Sequence, residues 1–410
     1  MSGFATRALH SPWKLQDPHG TLRPPLYDSV AFEFQTSREL ELAFTGRKPA
    51  HTYSRITNPT VEVLEDRIRN LANASAVLAV SSGMAAISNT VQALAQSGSN
   101  IVTTRHLFSH SLSLFTQTLG RWGLETRFAD MTSLESAESQ IDNNTALVFL
   151  EIISNPQLEV AEIEKICALA AGKNVPVVLD GTLTTPYLFN SRLAGVAVEI
   201  ISSTKHISGG ATAVGGLIID NGVFDWRKHA VLGNIAGKFG PGAFSVRLRK
   251  DVYRNNGACL SAHNAWLQIL GLETLKLRID KSCSNALQIA GYLKKHPKVL
   301  DVNYPGLPGS PWHEIAKKQF NNGFGGIVTF ELSDKEQAYR FMDSLKIIRR
   351  ATNLSDNKTL VIHPASTIFA EYSLEERKSM GIPEGLIRLS VGIEDVEDLV
   401  EDINQGLESL

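Results

Sequence analysis

The sequence predicts an α/β fold in which helices cover both faces of a mostly parallel sheet, followed by a smaller C-terminal α/β domain. Seven apolar segments of strand character recur between residues 75 and 220, and helical patterns separate several of them. Residues 175–180 are almost continuously apolar, which is typical of a strand buried on both faces. Beyond residue 256 this alternation gives way to long amphipathic helical patterns and two strand candidates.

The large domain can be justified element by element. The first 57 residues contain several prolines and little periodicity, so we expect an arm, residues 1–57, that is extended. Asn58-Pro59-Thr60 is typical of a helix start, and apolar residues follow at helical spacing. The seven expected strands are SAVLAV, NIVTTR, LETRFA, TALVFLE, VPVVLD, VEIISS and GGLIID. We therefore expect a large domain over residues 58–255.

The remaining residues, 256–410, are predicted to form the small domain. Residues 261–296 have the pattern of one long amphipathic helix. The strand candidates GGIVTFEL and LIRLSVG follow, with helices expected at 335–346, at 374–380 and from Asp395 onward. Two strands with flanking helices predict a small α/β unit.

Composition excludes several classes of function. The chain has 40 basic and 42 acidic residues and a net charge of −2, which gives no electrostatic basis for binding nucleic acid or an anionic membrane. No metal-binding or nucleotide-binding motif is present, so we predict no metal site. The N-terminus lacks a signal-peptide pattern, no apolar run reaches transmembrane length, and the three cysteines are far apart. These features predict a cytoplasmic protein with free, buried thiols.

Three predicted strand ends carry polar groups that could share one site. Ser82, Gly83 and Met84 lie at a strand-to-helix turn, where free N–H groups can bind an anion. Asp180 ends a second strand, and Ser202, Thr204 and Lys205 follow a third. Taken singly, these are a helix cap, a turn residue and a solvent-exposed lysine. Together they match the needs of pyridoxal 5′-phosphate (PLP): an anion site, a carboxylate for the pyridine nitrogen and a lysine for the Schiff base.

Longer stretches resemble a known family, the PLP-dependent enzymes of cysteine and methionine metabolism, or trans-sulfuration enzymes. The matching stretches occur in family order from about residue 20 to the C-terminus. They are YSRITNPTVEVLEDRI, SSGMAAI, ISNPQLEV, VLDGTLTTPYL, SSTKHISGG, GLETLKLR, KTLVIHPAST and LIRLSVGIEDVEDLVEDI. The resemblance implies a PLP-dependent transferase fold, which is aspartate-aminotransferase-like (fold type I) with a seven-stranded sheet, and PLP as cofactor.

The resemblance also implies roles for individual residues. Lys205 would form the Schiff base and carry protons, Asp180 would pair with the pyridine nitrogen, and Arg388 would bind the substrate carboxylate together with Asn155 and Asn353. The other residues implied to bind PLP are Tyr53, Arg55, Ser82, Gly83, Met84, Phe108, Asn155, Ser202 and Thr204. Tyr53 and Arg55 would reach the phosphate in a neighbouring subunit. The family pattern is a tetramer built from two such dimers.

The sequence departs from the family at the residue expected to stack on the cofactor ring. The family pattern LYGGTYxLF is replaced by LFSHSLSLF, so Phe108 takes the place of a tyrosine that could donate or accept a proton. Phenylalanine can still stack. A carboxylate leaving group has a conjugate-acid pKa of about 4, whereas a cysteine-like thiol has about 8.5. The loss of the hydroxyl therefore favours an O-acyl substrate over cystathionine, although Lys205 could also act as the acid.

Further departures bear on the branch of the family. Enzymes that handle cystathionine typically carry a glutamate where this chain has Lys358, and a cation there would repel the distal ammonium group. The sequence around residues 255–278 and 358–367 is most similar to the O-acetylhomoserine sulfhydrylase branch. Gly181 replaces the usual asparagine, Phe369 lies near a common histidine, and residues 227–245 form a shorter segment than is usual in that branch.

We therefore expect γ-replacement on O-acetyl-L-homoserine, which gives homocysteine for methionine biosynthesis. Alternatives are a methionine or cystathionine γ-lyase and a cystathionine γ-synthase. The sulfur donor stays open between sulfide, a small thiol and a thiocarboxylate on a small sulfur-carrier protein. A non-catalytic protein of the same fold is disfavoured by the presence of Lys205, Asp180 and Arg388.

Overall fold

The computed structural model describes residues 3–11 and 17–410 and contains two β-sheets. The large sheet has seven strands in the order β1-β7-β6-β5-β4-β2-β3, and only β7 runs antiparallel to its neighbours. Its strands are β1 (Ala76–Val80), β2 (Asn100–Thr103), β3 (Glu125–Phe128), β4 (Thr145–Glu151), β5 (Val177–Asp180), β6 (Val198–Ile201) and β7 (Gly216–Asp220). All seven predicted strands are present, which confirms the predicted α/β class and the mostly parallel sheet.

The second sheet has five strands in the order β10-β11-β12-β9-β8 and is antiparallel except between β10 and β11. Its strands are β8 (Asp301–Asn303), β9 (Ile327–Glu331), β10 (Arg349–Arg350), β11 (Leu360–Ile362) and β12 (Leu386–Ser390). The sequence predicted only β9 and β12. The other three strands are two or three residues long, too short for a periodic pattern to develop.

Seventeen α-helices connect and cover the sheets in the described part of the chain. They are α1 (Phe4–His10), α2 (Ser37–Phe44), α3 (Pro59–Ala72), α4 (Gly83–Leu94), α5 (Ser109–Ser113), α6 (Leu134–Gln140), α7 (Ile163–Gly172), α8 (Thr185–Leu188), α9 (Gly233–Phe239), α10 (Ala243–Arg247), α11 (Arg254–Asn256), α12 (Ala262–Glu273), α13 (Leu275–Leu293), α14 (His313–Gln319), α15 (Lys335–Ser344), α16 (Leu374–Ser379) and α17 (Val396–Glu408). None of these helices is both long enough and apolar enough to cross a membrane.

The large sheet is buried on both faces, as its continuous apolar strands predict. One face packs against α4 and α10, with Val178 and Ile200 in the shared core. The other face packs against α3, α12 and α13, with Val77 and Ile201 in a second core. Because α12 packs on the large sheet although it lies beyond residue 255, the domain bounds 1–57, 58–255 and 256–410 stay a prediction.

Two expectations about helices differ from the structure. The long helix expected over residues 261–296 is divided into α12 and α13 at Thr274, whose φ of −109° and ψ of 7° fall outside helical values. The arm is not extended throughout, because α1 and α2 form within it. Helix α1 is held on α3: Arg7 Nη1 donates to the carbonyl oxygen of Asn70 at 2.7 Å, and Ala8 is buried.

Candidate active site

The carboxyl ends of the central strands surround a cavity of about 290 Å³. Parallel strands place the residues that follow them at one edge of the sheet, where ligands bind in open α/β folds. The cavity collects ten of the residues selected from the sequence: Ser82, Gly83, Met84, Phe108, Asn155, Asp180, Ser202, Thr204, Lys205 and Arg388. The first nine come from the large-sheet layer, and Arg388 comes from β12 of the small sheet.

The start of α4 forms an anion site at one end of the cavity. Ser82 caps the helix by accepting a hydrogen bond from Ala85 N at 3.0 Å. The N–H groups of Gly83 and Met84, in the first turn, have no acceptor within the helix. A Cβ on Gly83 would lie 2.8 Å from Ser202 Cβ, so only glycine lets α4 start this close to the turn after β6. Main-chain donors and the Ser202 and Thr204 hydroxyls can therefore surround a phosphate.

Asp180 is a buried carboxylate whose charge is only partly compensated by its hydrogen bonds. Thr182 N donates to Asp180 Oδ1 at 2.9 Å. Burial raises the pKa of Asp180, and the bonds from Thr182 together with the charge of Lys205 oppose that rise. A cationic ring N–H would compensate the buried negative charge, so this residue fits the protonated pyridine nitrogen of PLP.

Lys205 follows β6 in a turn closed by Lys205 N donating to Ser202 O at 3.2 Å. Its Nζ donates to Asn353 Oδ1 at 2.7 Å. Burial, and next the positive charge of Arg388, lower the pKa of Lys205 to about 8. The lysine therefore holds a larger neutral fraction near pH 7 than a lysine in water, and the neutral amine is the form that reacts with an aldehyde.

Arg388 is a buried guanidinium with spare hydrogen-bonding capacity. It is 3% exposed, and its pKa is lowered to about 10 by burial. Nη1 donates to Asn155 Oδ1 at 2.9 Å and Nη2 to Asn353 O at 3.1 Å, whereas Nε has no partner in the described structure. Because no described carboxylate pairs with it, Arg388 is suited to bind the carboxylate of a ligand.

Comparison with known proteins identifies the family. The model of the family described as "Cys/Met metabolism PLP-dependent enzyme" matches residues 5–408. The chain belongs to this family. It is therefore a PLP-dependent enzyme of cysteine and methionine metabolism, and the donors around the cavity fit PLP as described above.

Three similar proteins carry names that refer to different reactions. The chain is 35% identical to an L-methionine γ-lyase of Fusobacterium nucleatum, over 100% of this chain and 98% of that protein. A Campylobacter jejuni structure described as an O-acetylhomoserine (thiol)-lyase has a TM-score of 0.92 and 35% identity, covers 99% of this chain and 100% of its own, and carries a pyridoxyl-lysine at its position 205. An O-acetylhomoserine sulfhydrylase of Wolinella succinogenes has a TM-score of 0.81 and 45% identity, with coverage of 99% and 100%. These neighbours confirm the fold type I architecture of the PLP-dependent enzymes.

Three of the selected residues do not line this cavity. Asn353 accepts hydrogen bonds from two residues that do line it, Lys205 and Arg388. Tyr53 is 42% exposed, and the Arg55 guanidinium lies 5.4 Å from the centre of its ring. Arg55 Nη1 donates to Arg254 O at 2.9 Å. That Tyr53 and Arg55 serve a neighbouring subunit of this PLP enzyme stays a prediction.

Sequence analysis missed Glu151, which lines the cavity at the end of β4. Its Oε1 accepts a hydrogen bond from Phe108 N at 2.6 Å. Burial, and next the negative charge of Asp180, raise the pKa of Glu151 well above its usual range. The signal was present, since this glutamate ends the long apolar run TALVFLE. Thr182, His110 and Ser111 also line the cavity and were not selected.

The residues that depart from the family pattern lie in different surroundings. Phe108 lines the cavity, so its missing hydroxyl affects the site directly. Lys358 is exposed and lies outside the cavity, which removes the direct contact expected for it. Phe369 is fully buried in the core beside the large sheet. A Cβ on Gly181 would lie 2.1 Å from Glu199 Oε1, so the buried Glu199 carboxyl takes the space of a side chain at residue 181.

Proposed function

We propose that this PLP enzyme catalyses γ-replacement on O-acetyl-L-homoserine, in which a sulfur donor displaces acetate and homocysteine is the product. The enzyme would act in methionine biosynthesis, in the cytoplasm. The observation that carries the proposal is Phe108 in the cavity wall. Acetate, with a conjugate-acid pKa of about 4, can leave unprotonated, whereas a thiolate leaving group gains more from an acid that Phe108 cannot provide.

The proposal assigns binding roles to the cavity-lining residues. Lys205 would hold the cofactor aldehyde and Asp180 the pyridine nitrogen. Gly83, Met84, Ser82, Ser202 and Thr204 would hold the phosphate, and Phe108 would stack on the ring. PLP, when bound, withdraws electrons from the substrate α-carbon.

The reacting protons would be moved by Lys205. Its Nζ would take the proton from Cα, which its lowered pKa of about 8 favours near neutral pH. Arg388 would hold the α-carboxylate, with Asn155 and Asn353 fixing the guanidinium through bonds of 2.9 and 3.1 Å. The substrate α-carbon would thereby be held next to Lys205 rather than free to turn away.

Similarity supports this proposal and one alternative. The 45% identity with the Wolinella succinogenes sulfhydrylase over nearly the whole chain favours γ-replacement. The 35% identity with the Fusobacterium nucleatum methionine γ-lyase favours cleavage of methionine. We also propose a homotetramer, a dimer of dimers in which Tyr53 and Arg55 complete the neighbouring active site.

One experiment separates the two reactions. The holoenzyme is given O-acetylhomoserine with sulfide, with an alkyl thiol, or with a thiocarboxylated carrier protein, and in parallel methionine alone. Homocysteine or its thioether from O-acetylhomoserine supports γ-replacement and identifies the donor. Release of 2-oxobutyrate from methionine, without product from O-acetylhomoserine, would establish the lyase instead.

A further inference from the structure

His110 is the imidazole among the described cavity-lining residues, and it lies at the outer end of the site. It is exposed to solvent and at the same time lines the cavity. It belongs to the first turn of α5, which begins at Ser109 directly after Phe108. A side chain that meets both bulk water and the cavity can pass a proton between them.

The ring of His110 is held by Phe108. The two ring centres are 4.9 Å apart and the planes are inclined by 66°, an edge-on contact. Phe108 N donates in turn to Glu151 Oε1 at 2.6 Å, which fixes the start of α5 to the end of β4. The edge-on contact with Phe108 therefore favours one orientation of the imidazole.

Ser111, one residue further along α5, adds an unused polar group to the same wall. It is 1% exposed, it lines the cavity, and its Oγ has no hydrogen-bond partner among the described residues. A buried hydroxyl without a partner is uncommon in proteins and indicates a ligand or water at this place. Imidazole and hydroxyl thus both line the cavity, on consecutive residues of α5.

The other titratable groups that line the cavity already have hydrogen-bond partners within the protein. Glu151 Oε1 accepts a hydrogen bond from Phe108 N at 2.6 Å. Asp180 accepts from Thr182 N at 2.9 Å, Lys205 donates to Asn353 at 2.7 Å, and Arg388 is bound to Asn155 and Asn353. His110 is therefore the described group free to accept a proton from a molecule entering from solvent.

We propose that His110 is the catalytic base for the sulfur nucleophile and that Ser111 holds the entering sulfur. This inference rests on the proposed γ-replacement. The S–H bond of a thiol or hydrogen sulfide breaks, its proton moves to the imidazole, and the electron pair stays on sulfur. Before the sulfur adds, Cα and Cβ have each lost a proton, and acetate has left Cγ with the electron pair of the Cγ–O bond, so that Cβ and Cγ are joined by a double bond. The sulfur pair then forms the S–Cγ bond, and the electron pair of the double bond returns to Cβ, which takes up a proton. The imidazolium then releases the proton to solvent.

The test compares sulfur donors that do and do not need a base. At about pH 7.5 an alkyl thiol is mostly protonated, whereas an aryl thiol such as thiophenol is mostly ionised. With saturating O-acetylhomoserine and the holoenzyme, His110→Gln should lower kcat/KM for the alkyl thiol by about 100-fold. For thiophenol the same variant should stay within about threefold of the wild type. His10→Gln, at an exposed histidine on α1, serves as the matched control.

Two further measurements distinguish catalysis from folding. The absorbance of bound PLP and the exchange of the Cα proton of O-acetylhomoserine into D2O should be unchanged in His110→Gln. Equal losses with both thiols, or no loss with either, would overturn the assignment of His110. If the wild type forms no thioether with either thiol but converts O-acetylhomoserine with sulfide or with the carrier protein, the assignment of His110 is overturned and the proposed function stands. If none of these donors gives a product, the proposed function itself fails, and this is seen before any variant is compared.

Discussion

At the scale of single residues, the cavity is distinguished by two cationic side chains in one wall. Lys205 and Arg388 share a small buried space, and both have pKa values lowered by burial. The positive charge of Arg388 further lowers the pKa of Lys205, while Asp180 opposes this effect. The site therefore favours a neutral amine on one residue and a fixed cation on the other.

Lys205→Ala should abolish turnover and the visible absorbance of covalently held PLP, because no other described amine reaches the cavity. Lys358→Ala removes an exposed lysine outside the cavity and should leave both unchanged. Absorbance spectra and product assays on the two purified variants test the assignment. A Lys205→Ala enzyme with full activity would show that it is wrong.

Glu199 should make stability depend on pH. Burial raises its pKa to about 7 from an ordinary 4.5, so the folded state binds this proton more tightly than the unfolded chain. The stabilisation is fully present below pH 4.5 and is lost as pH rises through about 7. Glu199→Gln cannot ionise at this residue and should lose less stability between pH 5 and pH 8 than the wild type. The difference should appear as a shift of about 1 M or less in the denaturant concentration at the unfolding midpoint.

The control for this measurement is Glu375→Gln, at an exposed glutamate on α16. It should follow the wild-type dependence on pH. A Glu199→Gln variant with the same dependence as the wild type would show that Glu199 does not titrate in this range.

At the scale of elements, the contact between β5 and β6 depends on a matched pair of residues. Leu179 and Glu199 are paired in the parallel register, and the Glu199 carboxyl reaches under Gly181. Ser191 Oγ donates to Glu199 Oε2 at 2.5 Å, and Asn221 Nδ2 donates to Ser191 Oγ at 3.0 Å. A larger residue at 181 therefore requires a smaller one at 199.

Gly181→Ala should destabilise the protein by about 1–3 kcal/mol, because its Cβ overlaps Glu199 Oε1. Adding Glu199→Ala should recover part of this loss, with a coupling free energy of about 0.5–3 kcal/mol in a double-mutant cycle. Gly172→Ala, where a Cβ meets no atom within 4 Å, is the matched control and should cause little change. Strict additivity of the two changes would contradict the predicted overlap.

The elements that sequence analysis found share one property, which is a pattern long enough to detect. β4 and β5 are continuously apolar because helices cover both faces of the sheet, and α3 starts at a proline after a capping asparagine. β8, β10 and β11 lack such a pattern because tertiary pairing, rather than local preference, creates them. Glu151 was missed for a similar reason: only the folded structure reveals that it is buried beside Asp180.

At the scale of the whole molecule, two parts of the arm lie in different surroundings. Helix α1 packs on α3 of its own chain, whereas Tyr53 and Arg55 lie outside their own cavity. If these two residues complete the neighbouring site, inactive variants should complement each other. Lys205→Ala subunits mixed with Arg55→Ala subunits, unfolded and reassembled, should recover about a quarter of wild-type activity, because half of the dimers are mixed and each has one intact site.

The control mixes Lys205→Ala with Asp180→Ala subunits, whose defects lie in the same chain's cavity. Such a mixture should stay inactive, because no dimer then contains an intact site. Recovery in both mixtures, or in neither, would contradict the sharing of sites. Sedimentation of the holoenzyme should give the mass of four chains.

Arg388 belongs to one sheet and Lys205 follows a strand of the other, yet both bond to Asn353. An α-amino acid that contacts both Lys205 and Arg388 would link the two sheets through the ligand. Ligand binding in the cavity and the relative orientation of the sheets would then be thermodynamically coupled. An amine without an α-carboxylate would engage Lys205 but not Arg388, so it would lose the ion pair and would not link the two sheets.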